Sequence, residues 1–188
     1  IKLKYAAAST SMTVTNLQAL ASSQTYIAGW GSASVTNTSN VYLDYVIGGT
    51  FKTASANRQA TGYINVYVIG ALNDTPTWGT VATGTAGTEG AITFTDTFRQ
   101  VAQCRLLQSI FVGESGSATI YDIPETGIAQ LFGGVCPTHW YLYVSQNVTT
   151  TTTAGLAASS GSSIYYTPIV AKEYIEIVQK IIKDLKIN

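Results

Sequence analysis

The chain contains one histidine, His139, and seven carboxylates before residue 172: Asp44, Asp74, Glu89, Asp96, Glu114, Asp122 and Glu125. Acid–base or glycosidase chemistry needs two carboxyls, or a carboxyl and an imidazole, brought to one place. No spacing here marks such a pair. Asp122 and Glu125 flank Ile123-Pro124, which is turn chemistry, and the other acids read as turn or cap residues. His139 sits between Pro137-Thr138 and Trp140 and reads as a packed or surface side chain. None of the 16 serines occupies a Gly-x-Ser-x-Gly elbow; Gly113-Glu114-Ser115-Gly116 has the wrong spacing. Phosphate-loop, dinucleotide and EF-hand patterns are missing. Cys104 and Cys136 lie outside any Cys-x-x-Cys pattern, so a zinc knuckle or redox pair is not expected, and both read as buried free thiols, with one disulfide left open. No catalytic residue, metal or cofactor is assigned, and a non-enzyme is expected.

The elements that would have to position any reactive group are short strands. Val-, Ile- and Tyr-rich runs place strands at 12–15, 25–30, 41–51, 63–72, 92–94, 103–112, 118–122, 140–144 and 164–170. Helical turns are read at 17–21 and 128–132, the latter stopping at Gly133-Gly134. Asn73-Asp74-Thr75-Pro76 is a turn, since Asx side chains precede a fixed proline φ. Residues 78–90, rich in Gly, Thr and Ala, read as an exposed loop, and 149–163 as a mobile surface loop. Turn signals every ten to twenty residues, with no helical pattern between strands, favour an all-β antiparallel sandwich over βαβ units. The strand count suits a jelly-roll-like sandwich, although periodicity alone leaves an immunoglobulin-like one open. Residues 1–11 form an extended arm in this reading, 12–171 the sandwich body and 172–188 a short C-terminal α-helix.

Composition separates the last segment from the rest. Residues 172–188 hold 7 of the 20 charged residues, in a chain only 11% charged and of net charge zero. The body relies on 27 Thr and 16 Ser for polarity. Without clustered Lys and Arg, neither nucleic acid nor an anionic membrane is expected as a partner. No apolar run is long enough to cross a membrane. The start lacks a signal-peptide core, and the missing initiator Met suggests that the numbering begins after a segment that is removed or not included. In the tail, Ile175, Val178, Ile182 and Leu185 follow at spacings of three, four and three, with Tyr174 and Ile181 widening the stripe. A lone helix of this length is marginal in water, so the stripe must meet its own body, further copies of itself, or another protein. Isoleucine at such seam positions favours trimers.

Several stretches resemble a group of tailed-bacteriophage virion structural proteins. They are the run from Met12 to Thr25 continuing to Ala28-Gly29-Trp30, then Tyr42-Leu43-Asp44-Tyr45-Val46-Ile47-Gly48-Gly49, and Ile64-Asn65-Val66-Tyr67-Val68-Ile69-Gly70. Leu131-Phe132-Gly133-Gly134 before an aromatic strand, and Tyr165-Tyr166-Thr167-Pro168-Ile169, complete the set. The resemblance implies a decoration or auxiliary capsid protein with a jelly-roll-like body, and carries over no catalytic residues. The members end near Ala171, so the tail is a departure.

The expected function is therefore a non-enzymatic virion protein at a capsid surface or appendage. Its partners would be the major capsid protein or other virion proteins and further copies of itself, a trimer being favoured. The alternative is a carbohydrate-binding, host-recognition module, for which Trp78 and Trp140 would form an aromatic contact surface. A coat protein that packages its genome would need a stronger basic arm than Lys2 and Lys4. A hydrolase ranks last.

Overall fold

A computed structural model describes residues 3–39, 42–55, 59, 61–79, 82–84, 86–113, 118–150, 154–158, 161–171, 180 and 183. In chain order the strands are β1 (Leu3–Tyr5), β2 (Thr10–Ser11), β3 (Ala28–Gly31), β4 (Val35–Thr36), β5 (Asp44–Lys52) and β6 (Gly62–Ala71). Then come β7 (Ala82–Gly84), β8 (Gly90–Phe94), the helix α1 (Thr97–Gln103), β9 (Arg105–Val112) and β10 (Ile120–Gly127). A 3-10 turn (Ala129–Phe132), β11 (His139–Gln146) and β12 (Ser163–Ala171) complete the order.

The strands form two antiparallel sheets. One has the order β1-β12-β5-β10, with β2 also on β12; the other runs β7-β8-β3-β11-β6-β9, with β4 also on β11. Four pairings are nested: β6 with β9, β5 with β10, β3 and β4 with β11, β1 and β2 with β12. This is one long hairpin whose first half pairs in reverse order with its second. Rolled so that the two halves share both sheets, it is a jelly roll. The expected antiparallel sandwich is thus present, and the nesting settles which kind.

Alternation explains the core. Along β11, Trp140, Leu142 and Val144 point between the sheets, where they meet Trp30, Phe51, Ile64 and Val66. The intervening Tyr141 and Tyr143 belong to a second cluster with Ile69, Ile92, Phe94 and Cys104. Every residue of β11 is consequently buried. The second cluster occupies the outer face of the larger sheet, beneath the long β6–β9 connection that contributes β7, β8 and α1. Sheet order requires this connection to cross the face, because β8 joins β3 on the far side from β9.

Several expectations change. Residues 78–90 are not simply an exposed loop: Ala82–Gly84 pairs with β8, and Trp78 and Ala86 pack on the second cluster. Within the expected extended arm, Leu3–Tyr5 and Thr10–Ser11 are short strands that pair with β12. Within 149–163, Thr149 and Leu156 are fully buried, and Ala154 and Leu156 bridge to Ala21 and Thr53. A polar network holds the start of that segment. Ser22 Oγ donates to Gln146 Oε1 at 2.8 Å and accepts from Thr149 N–H at 2.9 Å, while Gln146 Nε2 donates to the Leu20 carbonyl at 2.8 Å. Residues 95–102, assigned no element from sequence, hold most of α1. The predicted turn at 128–132 is found at Ala129–Phe132, ending at Gly133 with φ +74°, a left-handed stop that glycine adopts without strain.

The stripe residues Tyr174, Ile175, Val178, Ile181, Ile182 and Leu185 lie outside the described residues. Lys180 and Lys183, the two described positions beyond Ala171, are helical and exposed.

Candidate functional site

The carboxylates are mostly occupied with structure. Asp44 Oδ1 accepts from three backbone N–H groups, those of Tyr45 (2.7 Å), Ile128 (2.9 Å) and Ala129 (2.7 Å), which ties the start of β5 to the 3-10 turn. Glu89 accepts from the Trp30 indole at 2.7 Å and from both the backbone and side-chain N–H groups of Asn16. It thereby pins the β7–β8 hairpin to the segment before β3. Asp96 caps α1 by accepting from Arg99 N–H at 2.9 Å, and its other oxygen lies 3.3 Å from the Arg99 guanidinium. Glu125 accepts from the Tyr165 hydroxyl at 3.1 Å, and this bond is the first cause of a raised Tyr165 pKa. Glu114 lies outside the described residues. Among the described residues no three His, Cys, Asp or Glu side chains come together as a metal site. His139 is buried, and its Nδ1 meets no hydrogen-bond partner among them.

Cys104 and Cys136 are unpaired. Burial pushes each thiol up to about 12, the Asp44 charge adding to the effect at Cys136, so neither is a ready nucleophile at neutral pH. Tyr26 is likewise pushed up to about 12, first by burial, and burial raises Tyr45, Tyr141 and Tyr143 as well. These groups hold their protons more tightly folded than unfolded. Their stabilisation is complete below the unfolded values of 9.0 for the thiols and 10.0 for the phenols, and is lost as pH rises towards about 12. The urea midpoint should therefore fall steadily between about pH 9 and pH 12. A midpoint flat across that range would contradict the assignment.

The two tryptophans named as a contact surface separate. Trp140 is 0% exposed in the inter-sheet core, so it offers no face to a ligand. This corrects the expectation, and the reason is alternation: Trp140 falls on the inward register of β11. Trp78 is partly buried, edge-on to Tyr141 with ring centroids 4.8 Å apart.

Exposed apolar side chains lie elsewhere. On α1, Phe98 is 86% and Val101 69% exposed. They stand three apart and share one helix face. The opposite face is fixed to the body: Gln100 is buried and donates through Nε2 to the Tyr26 carbonyl at 2.9 Å, which also accepts from the Tyr143 hydroxyl at 2.7 Å. Next in the chain after α1, strand β9 exposes Leu106 and Phe111, and the Phe111 ring meets Tyr63 of β6 at 5.4 Å. Among the described residues strand β9 pairs along its backbone with β6 alone, while its Gln108 Nε2 donates to Thr126 Oγ1 of β10 at 2.5 Å. Large exposed apolar side chains are features of association surfaces. The sequence signal for α1 was present: Asp96 as a cap, then Phe98, Val101 and Ala102 at helical spacing.

Compared with protein-family models and with curated protein sequences, the chain matches none.

Proposed function

We propose that this protein is a non-enzymatic structural subunit of a bacteriophage virion, decorating or reinforcing the capsid through subunit–subunit contacts. Its partners are the major capsid protein or neighbouring virion proteins and further copies of itself. The observation that carries the reading is the α1 surface. Phe98, 86% exposed, and Val101, 69% exposed, form an apolar patch on a helix held in place by a buried glutamine, and exposed apolar patches mark association surfaces. Aromatic anchors of this kind concentrate the binding energy of protein interfaces. The low charge of the body adds little repulsion between close-packed copies. A jelly roll is compatible with this role but does not establish it, since one fold serves many functions.

The test is Phe98→Asp with Val101→Asp. Both positions are exposed, so the unfolding midpoint should stay within about 0.5 kcal/mol of the parent. Association measured by sedimentation, and binding to capsid shells that lack the protein, should weaken at least about tenfold, a change of about 1.4 kcal/mol. A parent chain that stays monomeric and ignores capsid shells would remove the proposal, as would full binding by the double variant.

A further inference from the structure

We infer that residues 172–188 dock their apolar stripe into the cleft at the end of their own body where β12 finishes. The cleft has a volume of about 460 Å³ and lies among the β4–β5 connection, the start of the β6–β9 connection and the loop before β11. Its wall is mostly apolar, built from Tyr42, Leu43, Val135 and Cys136, with Asp74 among the polar members. Leu43 and Val135 are exposed there, Val135 to 68%. No described residue covers them.

The tail starts beside this cleft. The Leu43 N–H donates to the Ile169 carbonyl at 3.0 Å, so a cleft wall is bonded to β12 two residues before Ala171. Three residues can span up to about 10 Å, enough for the chain after Ala171 to reach the cleft. Seventeen residues follow Ala171, and their stripe at spacings of three and four is too short to be stable as an isolated helix. The described Lys180 and Lys183 are helical and exposed, as the polar side of a docked helix would be. A tether this short holds the tail at an effective concentration of order millimolar. Its own cleft therefore outcompetes that of a second copy in dilute solution. Docking of the tail is independent of the α1 surface, and either can fail without the other.

The full chain carrying Val135→Cys tests this. Alkylation by iodoacetamide is followed by peptide mass at residue 135, with Cys104 and Cys136 scored separately. Docking predicts that the thiol at 135 reacts at least tenfold more slowly than after Ile182→Asp is added. Lys183→Asp, a charge change on the polar side, should leave the slow rate in place. Equal rates with and without Ile182→Asp overturn the inference, as does a Lys183→Asp rate as high as that of Ile182→Asp. A rate that climbs on hundredfold dilution assigns the cleft to another copy's tail and overturns the same-chain occupant. An unchanged near-ultraviolet circular dichroism spectrum in each variant shows that the body is folded throughout.

Discussion

Trp140→Ala should remove about 3–5 kcal/mol of folding stability, the range for truncating a fully buried large aromatic. The indole is 0% exposed and packs against Tyr45 at 5.2 Å and Tyr166 at 5.6 Å, joining the two sheets from near the start of β11. Tyr45 stands on β5 and Tyr166 on β12, so the cavity left by alanine would open beneath the two inner strands of the smaller sheet. Urea unfolding followed by tryptophan fluorescence measures the loss. Trp140→Phe should cost much less, because it keeps a ring and removes an indole N–H that has no partner among the described residues. The pair also bears on the carbohydrate reading. Any glycan binding lost in Trp140→Ala should track the unfolded fraction and return in Trp140→Phe. An alanine variant that keeps its stability while losing glycan binding would show that the ring contacts a ligand directly.

Gly49→Ala should be comparably damaging for a backbone reason. Gly49 lies on β5 between Ile123 of β10 and Ile164 of β12. Its φ is +148°, a region closed to side chains, and a Cβ there would stand 2.1 Å from the Ser163 carbonyl oxygen and 2.9 Å from the Ile164 Cα. Backbone atoms cannot rotate aside, so β12 would have to leave β5. Strain and overpacking together cost on the order of 4 kcal/mol. Against a total of about 5–15 kcal/mol, that loss removes from about a quarter to about four-fifths of the stability, and the urea midpoint should fall in proportion. A soluble Gly49→Ala protein with the parental urea midpoint would show that this close approach is relaxed in solution.

Local chemistry made some features legible. The Val-, Ile- and Tyr-rich runs of β5, β6, β11 and β12 appear within a few residues of their expected places, because such side chains suit a pleated, half-buried surface wherever it lies. The stop at Gly133 was legible for the same local reason, a left-handed φ that glycine alone adopts freely. Helix α1 was missed because seven residues give too little periodicity to stand out, although Asp96 signals its start.

The contact surface was the harder part. Trp78 and Trp140 were chosen by ring type, and ring type does not report exposure. Trp140 and Tyr141 are adjacent, on opposite faces of β11, and both are buried. That outcome depends on a connection some 40 residues earlier crossing the outer face and covering Tyr141 and Tyr143. The same crossing leaves Phe98 and Val101 uncovered. Side-chain type and spacing, read along the chain, determined that this protein is made of short antiparallel strands with a low-charge surface and a chemically distinct tail. Only the nested pairing of distant strands decided which faces meet each other and which meet water, because burial is a relation between segments that the period of any one segment does not contain.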